Sequence, residues 1–201
     1  MDQYILVDFD DSFTWNIVST LAGVGIEVEV IPYKKFVEFF KSKIATSDQK
    51  YFIIYGPGPG HPREYCDLGP VISELLNSEQ HFQMGICLGH QILMSVMGLD
   101  VEIDPRPLHG HSVSFNIPKW PEFFSEKYIG QDIQVQRYNS LYVKSGSKAF
   151  VNKLGIEQVI DQGQVVAAKF KRGISYQFHP ESIGTSCPNV FFNTSITRSV
   201  E

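Results

Sequence analysis

Apolar and polar positions follow two distinct patterns over the first half of the chain. Four short segments, apolar throughout or alternating, are typical of strands: Tyr4–Phe9, Glu27–Ile31, Tyr51–Tyr55 and Phe82–Ile86. Four segments with apolar residues at helical spacing predict helices: Phe13–Val24, Phe36–Ile44, Leu68–Leu76 and Gly89–Met97. Ser12 is placed to cap the first of these helices. Strands that alternate with helices in this way indicate a mostly parallel sheet with helices on both faces.

The pattern changes from Val101 onward to short β-like runs separated by Gly and Asn turns. These runs are Ser112–Ile117, Ile133–Val135, Gln158–Ile160, Val165–Phe170 and Ile174–Phe178. We interpret them as an antiparallel extension of the same sheet, because no linker, repeat or low-complexity tract separates them from the first half. The predicted fold is therefore one α/β domain over residues 1–201, with an open, mostly parallel, flavodoxin-like twisted sheet flanked by helices.

The composition limits the classes of protein to which the chain can belong. Of 201 residues, 43% are hydrophobic and 19% are charged, which excludes a disordered chain or a coiled coil. The net charge is −5 and no Lys/Arg cluster is present, so no nucleic-acid partner is expected. The segment MDQYILVDFDD is acidic, and no run reaches the ~20 apolar residues of a membrane helix. We therefore expect no signal peptide, no membrane contact and a cytoplasmic location.

The three cysteines, Cys66, Cys87 and Cys187, form no C-x-x-C pair, so neither a disulfide framework nor a zinc site is indicated. For Cys66 and Cys187 we expect the usual state of a cytosolic cysteine, a buried and unreactive thiol.

Cys87 lies in a different context, because Gly85-x-Cys87-x-Gly89 separates a predicted strand from a predicted helix. This is the sulfur version of the nucleophile elbow, in which flanking glycines leave room where a Cβ would collide with neighbouring backbone. The start of a helix favours a thiolate, and the N–H of Leu88 is placed to bind a developing oxyanion.

A cysteine nucleophile needs a base and a group that orients the base. His179 follows the predicted strand Ile174–Phe178, and Glu181, two residues on, can face the same pocket. The alternative for His179 is a packed histidine at a strand end. His90 falls on a predicted helix and is expected to be structural.

The remaining histidines offer weaker candidates. His109 and His111 could form a metal pair, but no third ligand follows at a recognisable spacing. His61 and His81 are interpreted as loop residues.

The loop GPGPG at residues 56–60 directly follows the strand Tyr51–Tyr55. It lacks the G-x-x-x-x-G-K-[ST] pattern of a phosphate-binding loop. It is either a rigid turn or, beside Cys87, the source of a second N–H for an oxyanion.

The motifs GPGPG, GICLGHQ and QFHPES occur in an order and spacing that resemble the class I glutamine amidotransferases, whose glutaminase domain uses a Cys-His-Glu triad. Further segments resemble the glutaminase subunits of anthranilate synthase and aminodeoxychorismate synthase: Asp11-Ser12-Phe13-Thr14 with Asn16, His109-Gly110, and Arg137-Tyr138-Asn139-Ser140-Leu141.

The resemblance implies a role for each matching residue. Cys87 would attack the glutamine carboxamide, His179 would shuttle the proton and Glu181 would orient His179. The N–H groups of Gly58 and Leu88 would form the oxyanion hole. The glutamine substrate would be bound by residues from three segments: Gly58, Pro59, Gly60, Gln91, Ser140 and Leu141.

The resemblance also implies a partner. L-glutamine would be hydrolysed through a thioester, and ammonia would pass to a chorismate-binding synthase subunit in a heterodimer or heterotetramer. No cofactor or metal is expected in this subunit, since the family's Mg²⁺ belongs to the synthase partner.

Three departures from the family pattern fall in peripheral segments, where subunits of this family meet. The first loop reads Asp8-Phe9-Asp10-Asp11 in place of D-N-[YF]-D. His111 replaces Lys in H-G-K, and Asn139 replaces His in R-Y-H-S-L. The tail keeps Asn193 but lacks the usual T-E-x-G.

Three alternatives stay open at the level of the sequence. The first is a glutaminase for another synthetase, such as GMP synthetase, which usually has Tyr at the position of Leu88. The second is a cysteine-dependent α/β-hydrolase, although its acid precedes the histidine whereas Glu181 follows His179. The third is a family member that acts only as a regulatory or scaffolding subunit.

Overall fold

A seven-stranded central sheet organises residues 3–192, the part of the chain that the computed structural model describes. In chain order the strands of this part are β1 (Gln3–Asp8), β2 (Val28–Pro32), β3 (Tyr51–Tyr55), β4 (Phe82–Ile86), β5 (Val101–Ile103), β6 (His111–Asn116), β7 (Asp132–Arg137), β8 (Leu141–Val143), β9 (Glu157–Asp161), β10 (Gln164–Phe170) and β11 (Gly173–Tyr176).

The central sheet has the order β2-β1-β3-β4-β11-β10-β9. Neighbouring strands from β2 to β11 run parallel, whereas β10 and β9 are each antiparallel to the strand before them in the sheet. The mostly parallel sheet with an antiparallel extension, predicted from the sequence, is confirmed.

Helices cover both faces of this sheet. The α-helices of residues 3–192 are α1 (Thr14–Gly23), α2 (Tyr33–Phe39), α3 (Gly69–Asn77), α4 (Leu88–Val96), α5 (Lys148–Lys153) and α6 (Asn189–Phe192). Side chains of α2, α3, α4 and α5 share one buried cluster with Val7 of β1, and side chains of α1 and α6 share a second cluster with the adjacent Leu6. Because successive residues of a strand point to opposite faces, the two clusters are the two cores of a three-layer structure.

Two predicted features of the early helices are wrong. Ser12 does not cap α1; instead the Asp11 carboxylate accepts a hydrogen bond from the N–H of Phe13 at 2.8 Å. The helix expected at Phe36–Ile44 already begins at Tyr33, after the fixed φ of Pro32, and its second half, Phe40–Ile44, is π-helical.

The second half of the chain extends the central sheet less than expected. β11 lies parallel to β4, and only β9 and β10 form the antiparallel extension. β6 pairs with β7 in a separate two-stranded sheet, as β5 does with β8. The β6–β7 hairpin buries Phe115, Ile133 and Val135 against one face of the central sheet, so its alternating pattern covers the sheet and does not lengthen it.

Several short elements were not predicted: β5, β8, α5, α6 and a 3-10 helix at Pro62–Leu68. β5 and β8 have three residues each and α6 has four, and the other two span fewer than two turns of an α-helix, so neither strand alternation nor helical spacing is established. Within residues 3–192 no helix is long and apolar enough to cross a membrane. The tail from Asn193 onward, with its departure from T-E-x-G, lies outside the described residues.

Candidate active site

Cys87 occupies the sharp turn between β4 and α4 with φ +53° and ψ −105°. Positive φ is strained for a residue with a Cβ, and such strain clusters at functional sites. A Cβ on Gly85 would lie 2.7 Å from the Gly89 carbonyl oxygen, and one on Gly89 would lie 2.0 Å from the Tyr55 oxygen. Both contacts are with backbone, so the flanking glycines are required for the tight turn, as the sequence predicts.

Backbone hydrogen bonds fix the elbow to its neighbours. The Cys87 N–H donates to the Tyr176 carbonyl of β11 at 2.8 Å, and the Gly89 N–H donates to the Gly56 carbonyl at 3.1 Å. The N–H of Leu88, first in α4, has no acceptor within residues 3–192. An unpaired N–H beside the nucleophile is the geometry that an oxyanion hole requires.

The GPGPG loop lies directly against this elbow. A Cβ on Gly58 would lie 2.5 Å from Phe9 Cβ and 2.6 Å from Leu88 Cδ2, which shows how closely the loop approaches. The Tyr65 hydroxyl donates to the Pro59 carbonyl at 2.9 Å, and Gly60 has φ +76°. The N–H of Gly58 also lacks an acceptor among the described residues.

His179 and Glu181 form a buried pair. The distance from His179 Nδ1 to Glu181 Oε1 is 2.7 Å, and the two side chains are 3% and 0% exposed. The backbone of His179 is held at both polar atoms: its N–H donates to Gln136 of β7 at 2.8 Å, and its carbonyl accepts from Thr185 Oγ1 at 2.7 Å. Because Glu181 occupies Nδ1, the free ring nitrogen is Nε2.

Electrostatics favour a protonated His179. Burial alone would lower the pKa of His179, but its interactions with Cys87 and with Glu181 outweigh burial and hold this pKa well above its ordinary value. His179 Nε2 has no hydrogen-bond partner of normal geometry among the described residues. Cys87 is nevertheless close enough to stabilise the positive charge of the His179 ring. The structure thus brings together Cys87, His179 and Glu181 in a form suited to an imidazolium–thiolate pair.

Two aromatic rings enclose the imidazole. The ring centroids of Phe13 and Tyr138 lie 4.9 Å and 5.0 Å from that of His179, and the Tyr138 hydroxyl lies 3.1 Å from Ser182 Oγ. Sequence reasoning assigned these rings no part in the site. They limit the access of water to the histidine, which strengthens its interaction with charged neighbours.

Gln91 and Leu141, both expected to bind glutamine, are joined by a hydrogen bond. Gln91 Nε2 donates to the Leu141 carbonyl at 3.0 Å and to Gln177 Oε1 at 3.1 Å. Ser140 is exposed beside them, and its carbonyl accepts from the Asp104 N–H at 2.9 Å. Gln177, whose Nε2 lies 3.8 Å from Cys87 Sγ, was missed, although its i, i+2 spacing from His179 was an available signal.

The other histidines have structural contacts. Fully buried His90 has Nδ1 2.8 Å from Ser175 Oγ and Nε2 3.0 Å from the Val165 carbonyl, and burial lowers the pKa of His90 to about 3. His90 therefore has the structural place expected from its position on the helix. His111 Nδ1 accepts from the His109 N–H at 3.1 Å. Among the described residues no three His, Cys, Asp or Glu side chains cluster as metal ligands.

The expectation for the other two cysteines is wrong. Cys66 and Cys187 are exposed, and Cys87 is the buried one. Cys66 lies in the 3-10 helix and Cys187 in the turn before α6, neither of which was predicted.

Comparison with known proteins identifies a matching family model and several relatives of this chain. The family model described as glutamine amidotransferase class-I matches residues 5–197. The chain is 31% identical over 182 residues to the pyocyanine-specific anthranilate synthase component 2 of Pseudomonas aeruginosa, covering 90% of this chain and 86% of that protein.

Two further relatives are much longer proteins. The chain is 31% identical over 189 residues to the multifunctional tryptophan biosynthesis protein of Pichia angusta and 30% identical over 184 residues to the aminodeoxychorismate synthase of Streptomyces pristinaespiralis. Each match covers 90% of this chain but only 47% and 24% of the respective relative.

A solved structure supports the fold. A Thermoplasma acidophilum protein, provisionally described as part of a GMP synthase, superposes with a TM-score of 0.75 at 17% identity, covering 96% of this chain and 91% of the other. At this identity the likeness concerns the fold alone.

Proposed function

The chain belongs to the class-I glutamine amidotransferases, and from this premise we propose that it hydrolyses L-glutamine and delivers ammonia to a chorismate-using synthase subunit. The observation that carries the proposal is the strained Cys87 elbow beside the buried His179–Glu181 pair. The product of the partner would be anthranilate or aminodeoxychorismate, in keeping with the names of the relatives.

The first half-reaction uses the charge pair at the elbow. The Cys87 thiolate attacks the side-chain carbonyl carbon of glutamine, and the N–H groups of Leu88 and Gly58 hold the resulting oxyanion. Protonated His179 then gives its Nε2 proton to the departing nitrogen, so ammonia leaves and a glutamyl thioester remains on Cys87.

The second half-reaction regenerates the enzyme. Neutral His179 removes a proton from water, which attacks the thioester carbonyl and forms a second oxyanion in the same hole. Collapse of this intermediate releases glutamate and the Cys87 thiolate. Glu181 stays ionised and keeps Nδ1 occupied, so that Nε2 faces the reaction in both half-reactions.

The amino-acid end of glutamine would lie between the loop Gly58–Gly60 and the side chain of Gln91. The backbone of Ser140 and Leu141 completes this subsite, since the Leu141 carbonyl is tied to Gln91. Gly58 packs against Leu88, and Gln91 is tied through Gln177 to Cys87, so a glutamine held by these groups would present its carboxamide to Cys87.

We expect the chain to bind no cofactor or metal of its own and to work with a Mg²⁺-dependent synthase in a cytoplasmic heterodimer or heterotetramer. Component 2 relatives match over nearly their full length, which supports a separate glutaminase subunit. The exposed departures at Asp10 and His111 would set its fit to that partner. The expectation that Asn139 is peripheral is wrong, because it is 3% exposed and bonded to Arg137 and Leu141.

The test combines the purified chain with each candidate synthase subunit, chorismate, glutamine and Mg²⁺. Formation of anthranilate would indicate tryptophan synthesis, and formation of aminodeoxychorismate would indicate folate synthesis. Formation of both products would indicate a subunit shared by the two synthases. Cys87→Ser is expected to abolish glutamine-dependent synthesis while ammonia-dependent synthesis continues. Glutamine hydrolysis without either product would refute the chorismate-using partner, and unchanged glutamine use by Cys87→Ser would refute the role of Cys87.

A further inference from the structure

A fully buried amide touches both the nucleophile and a substrate-binding side chain. Gln177 is 0% exposed; its Nε2 donates to Cys87 Sγ at 3.8 Å, and its Oε1 accepts from Gln91 Nε2 at 3.1 Å. Because one planar group supplies both contacts, rotation of the Gln177 side chain would break both at once. A buried polar group held at both ends is well suited to fix its neighbours.

The contacts continue beyond Gln91 into a chain of hydrogen bonds. The Leu141 carbonyl accepts from Gln91 and also from Asn139 Nδ2, each at 3.0 Å. Asn139 Oδ1 in turn accepts from Arg137 Nε at 3.1 Å, and Arg137 is 3% exposed. These hydrogen bonds therefore connect the buried guanidinium of Arg137 to Cys87 without an intervening water molecule.

Only one polar atom of the Gln91 side chain is left for a ligand. Both N–H groups of Nε2 are used, one by Leu141 and one by Gln177, whereas Oε1 has no partner within residues 3–192. Oε1 is an acceptor, which suits the ammonium group of an amino acid better than its carboxylate.

We infer that Gln177 is a positioning residue for glutamine hydrolysis: it holds Cys87 Sγ in place and orients the Gln91 amide so that Oε1 faces the substrate. The inference rests on the proposed function. It assigns Gln177 no contact with glutamine and no proton transfer.

Two substitutions separate the two contacts. Gln177→Met keeps the volume and removes both, so kcat/KM for glutamine is expected to fall about 10- to 100-fold with a higher KM. Gln177→Glu keeps the acceptor for Gln91 but places a carboxylate beside Cys87. KM is then expected to stay near that of the unchanged protein, while kcat falls.

The pH profile gives a readout that a structural role would not move. The charged groups that act on Cys87 are His179 and, from β7, Arg137, with Glu181 behind His179. A carboxylate at position 177 opposes these two cations and disfavours the thiolate. In Gln177→Glu the acid limb of kcat/KM is therefore expected to move to higher pH.

Gln83→Met is the matched control. Gln83 is also 0% exposed, and its Oε1 accepts from the Tyr55 hydroxyl at 3.1 Å. The Gln83→Met substitution removes a buried amide of the same size, and this amide has no hydrogen bond to Cys87 or Gln91 in the described part of the chain. We expect thermal stability to fall because the Tyr55 hydroxyl loses its acceptor, with KM, kcat and the pH profile unchanged.

All variants are assayed in complex with the synthase subunit that supports activity, beside Cys87→Ser. If both Gln177 variants match Gln83→Met while Cys87→Ser is inactive, the inference is overturned and the proposed function stands. If Cys87→Ser still hydrolyses glutamine, the proposed function fails first. A raised KM in Gln177→Met, together with a shifted pH profile in Gln177→Glu, would support the positioning role.

Discussion

His179 lies where burial and charge act in opposite directions on one imidazole. Burial favours the neutral ring, but the interactions of His179 with Cys87 and Glu181 favour the charged ring and are the larger effect. The ring is 3% exposed, so water screens these interactions weakly. The protonation state of His179 therefore depends first on its interaction with Cys87 and then on the contact with Glu181 Oε1.

Glu181→Gln is expected to lower the pKa of His179, because it removes one of the two anions that raise it. The imidazolium–thiolate pair is then less populated at neutral pH, and glutamine-dependent kcat/KM falls about a hundredfold. The pH dependence of kcat/KM measures both effects. Glu126→Gln removes the same charge from an exposed residue between β6 and β7 and should leave the profile unchanged.

The same substitution has a signature in stability. A raised folded-state pKa stabilises the protein fully below the unfolded value of about 6.5, and this stabilisation is lost as pH rises through the folded pKa. The loss of unfolding free energy in Glu181→Gln should thus be larger in acid than in alkali. An equal loss at both pH values would contradict the assigned cause of the His179 pKa shift.

At the scale of elements, three adjacent parallel strands explain why the site forms. β3, β4 and β11 are neighbours in the sheet, and each is followed at its carboxyl end by a part of the site. These parts are the GPGPG loop, the Cys87 elbow and the His179 segment. In parallel strands such ends meet at one edge, so the topology brings distant parts of the sequence together.

A second layer completes the placement of His179. Strand β7 supplies the Gln136 carbonyl to the His179 N–H, and the Gln136 N–H donates to Thr185 Oγ1 at 3.2 Å. The Thr185 hydroxyl also donates to the His179 carbonyl. One buried hydroxyl therefore ties the turn after His179 to β7.

Thr185→Val keeps the shape of this side chain and removes its hydroxyl. Two buried backbone groups lose their partner, so the unfolding free energy is expected to drop by about 1–3 kcal/mol. Displacement of His179 should lower kcat about tenfold with little change in KM. Denaturant unfolding and steady-state kinetics check the two effects.

Thr20→Val provides the comparison for this change. Thr20 Oγ1 donates to the Asn16 carbonyl at 2.8 Å in an exposed hydrogen bond within α1. Thr20→Val should lower the unfolding free energy by no more than about 0.5 kcal/mol. Equal effects of the two substitutions on kcat would show that Thr185 does not position His179.

The sequence predicted the elements that buried periodicity defines and missed those set by tertiary contacts. β3 and β4 have the predicted bounds because they are apolar and buried throughout. β11 has the same apolar pattern whether it is parallel or antiparallel to its neighbour. Its partner residues in β4 lie 90 positions away along the chain, so the direction of β11 was not available locally.

The candidate site shows the same division. Cys87, His179 and Glu181 are marked by short local motifs, whereas Gln177 and Thr185 gain a role only from contacts with residues up to 90 positions distant. The hydrogen bonds of a polar side chain in the core depend on the packed fold. Residue type and spacing alone therefore revealed the reacting groups but not their supports.

At the scale of the whole molecule, the three cysteines differ in exposure as well as in setting. Cys66 and Cys187 lie at the surface, while Cys87 is 9% exposed and belongs to the buried cluster that α1 and α6 share with Leu6. A bulky aromatic disulfide reagent should therefore modify Cys66 and Cys187 first. A small glutamine-like diazoketone should instead select Cys87, because only that thiol has the His179 pair and the unpaired N–H groups of Leu88 and Gly58 beside it.

Mass spectrometry of labelled peptides, with and without the synthase partner, measures this selectivity. Replacement of Cys66 and Cys187 by Ser should remove fast labelling by the disulfide reagent and leave glutamine hydrolysis intact, because both lie outside the described site. Stoichiometric diazoketone labelling of Cys87 that blocks glutamine use would exclude a purely scaffolding role. If Cys87 stays unlabelled even in the complex, the result would favour the alternative in which the protein acts only as a scaffolding subunit. A strained elbow without a reactive thiolate cannot release ammonia from glutamine.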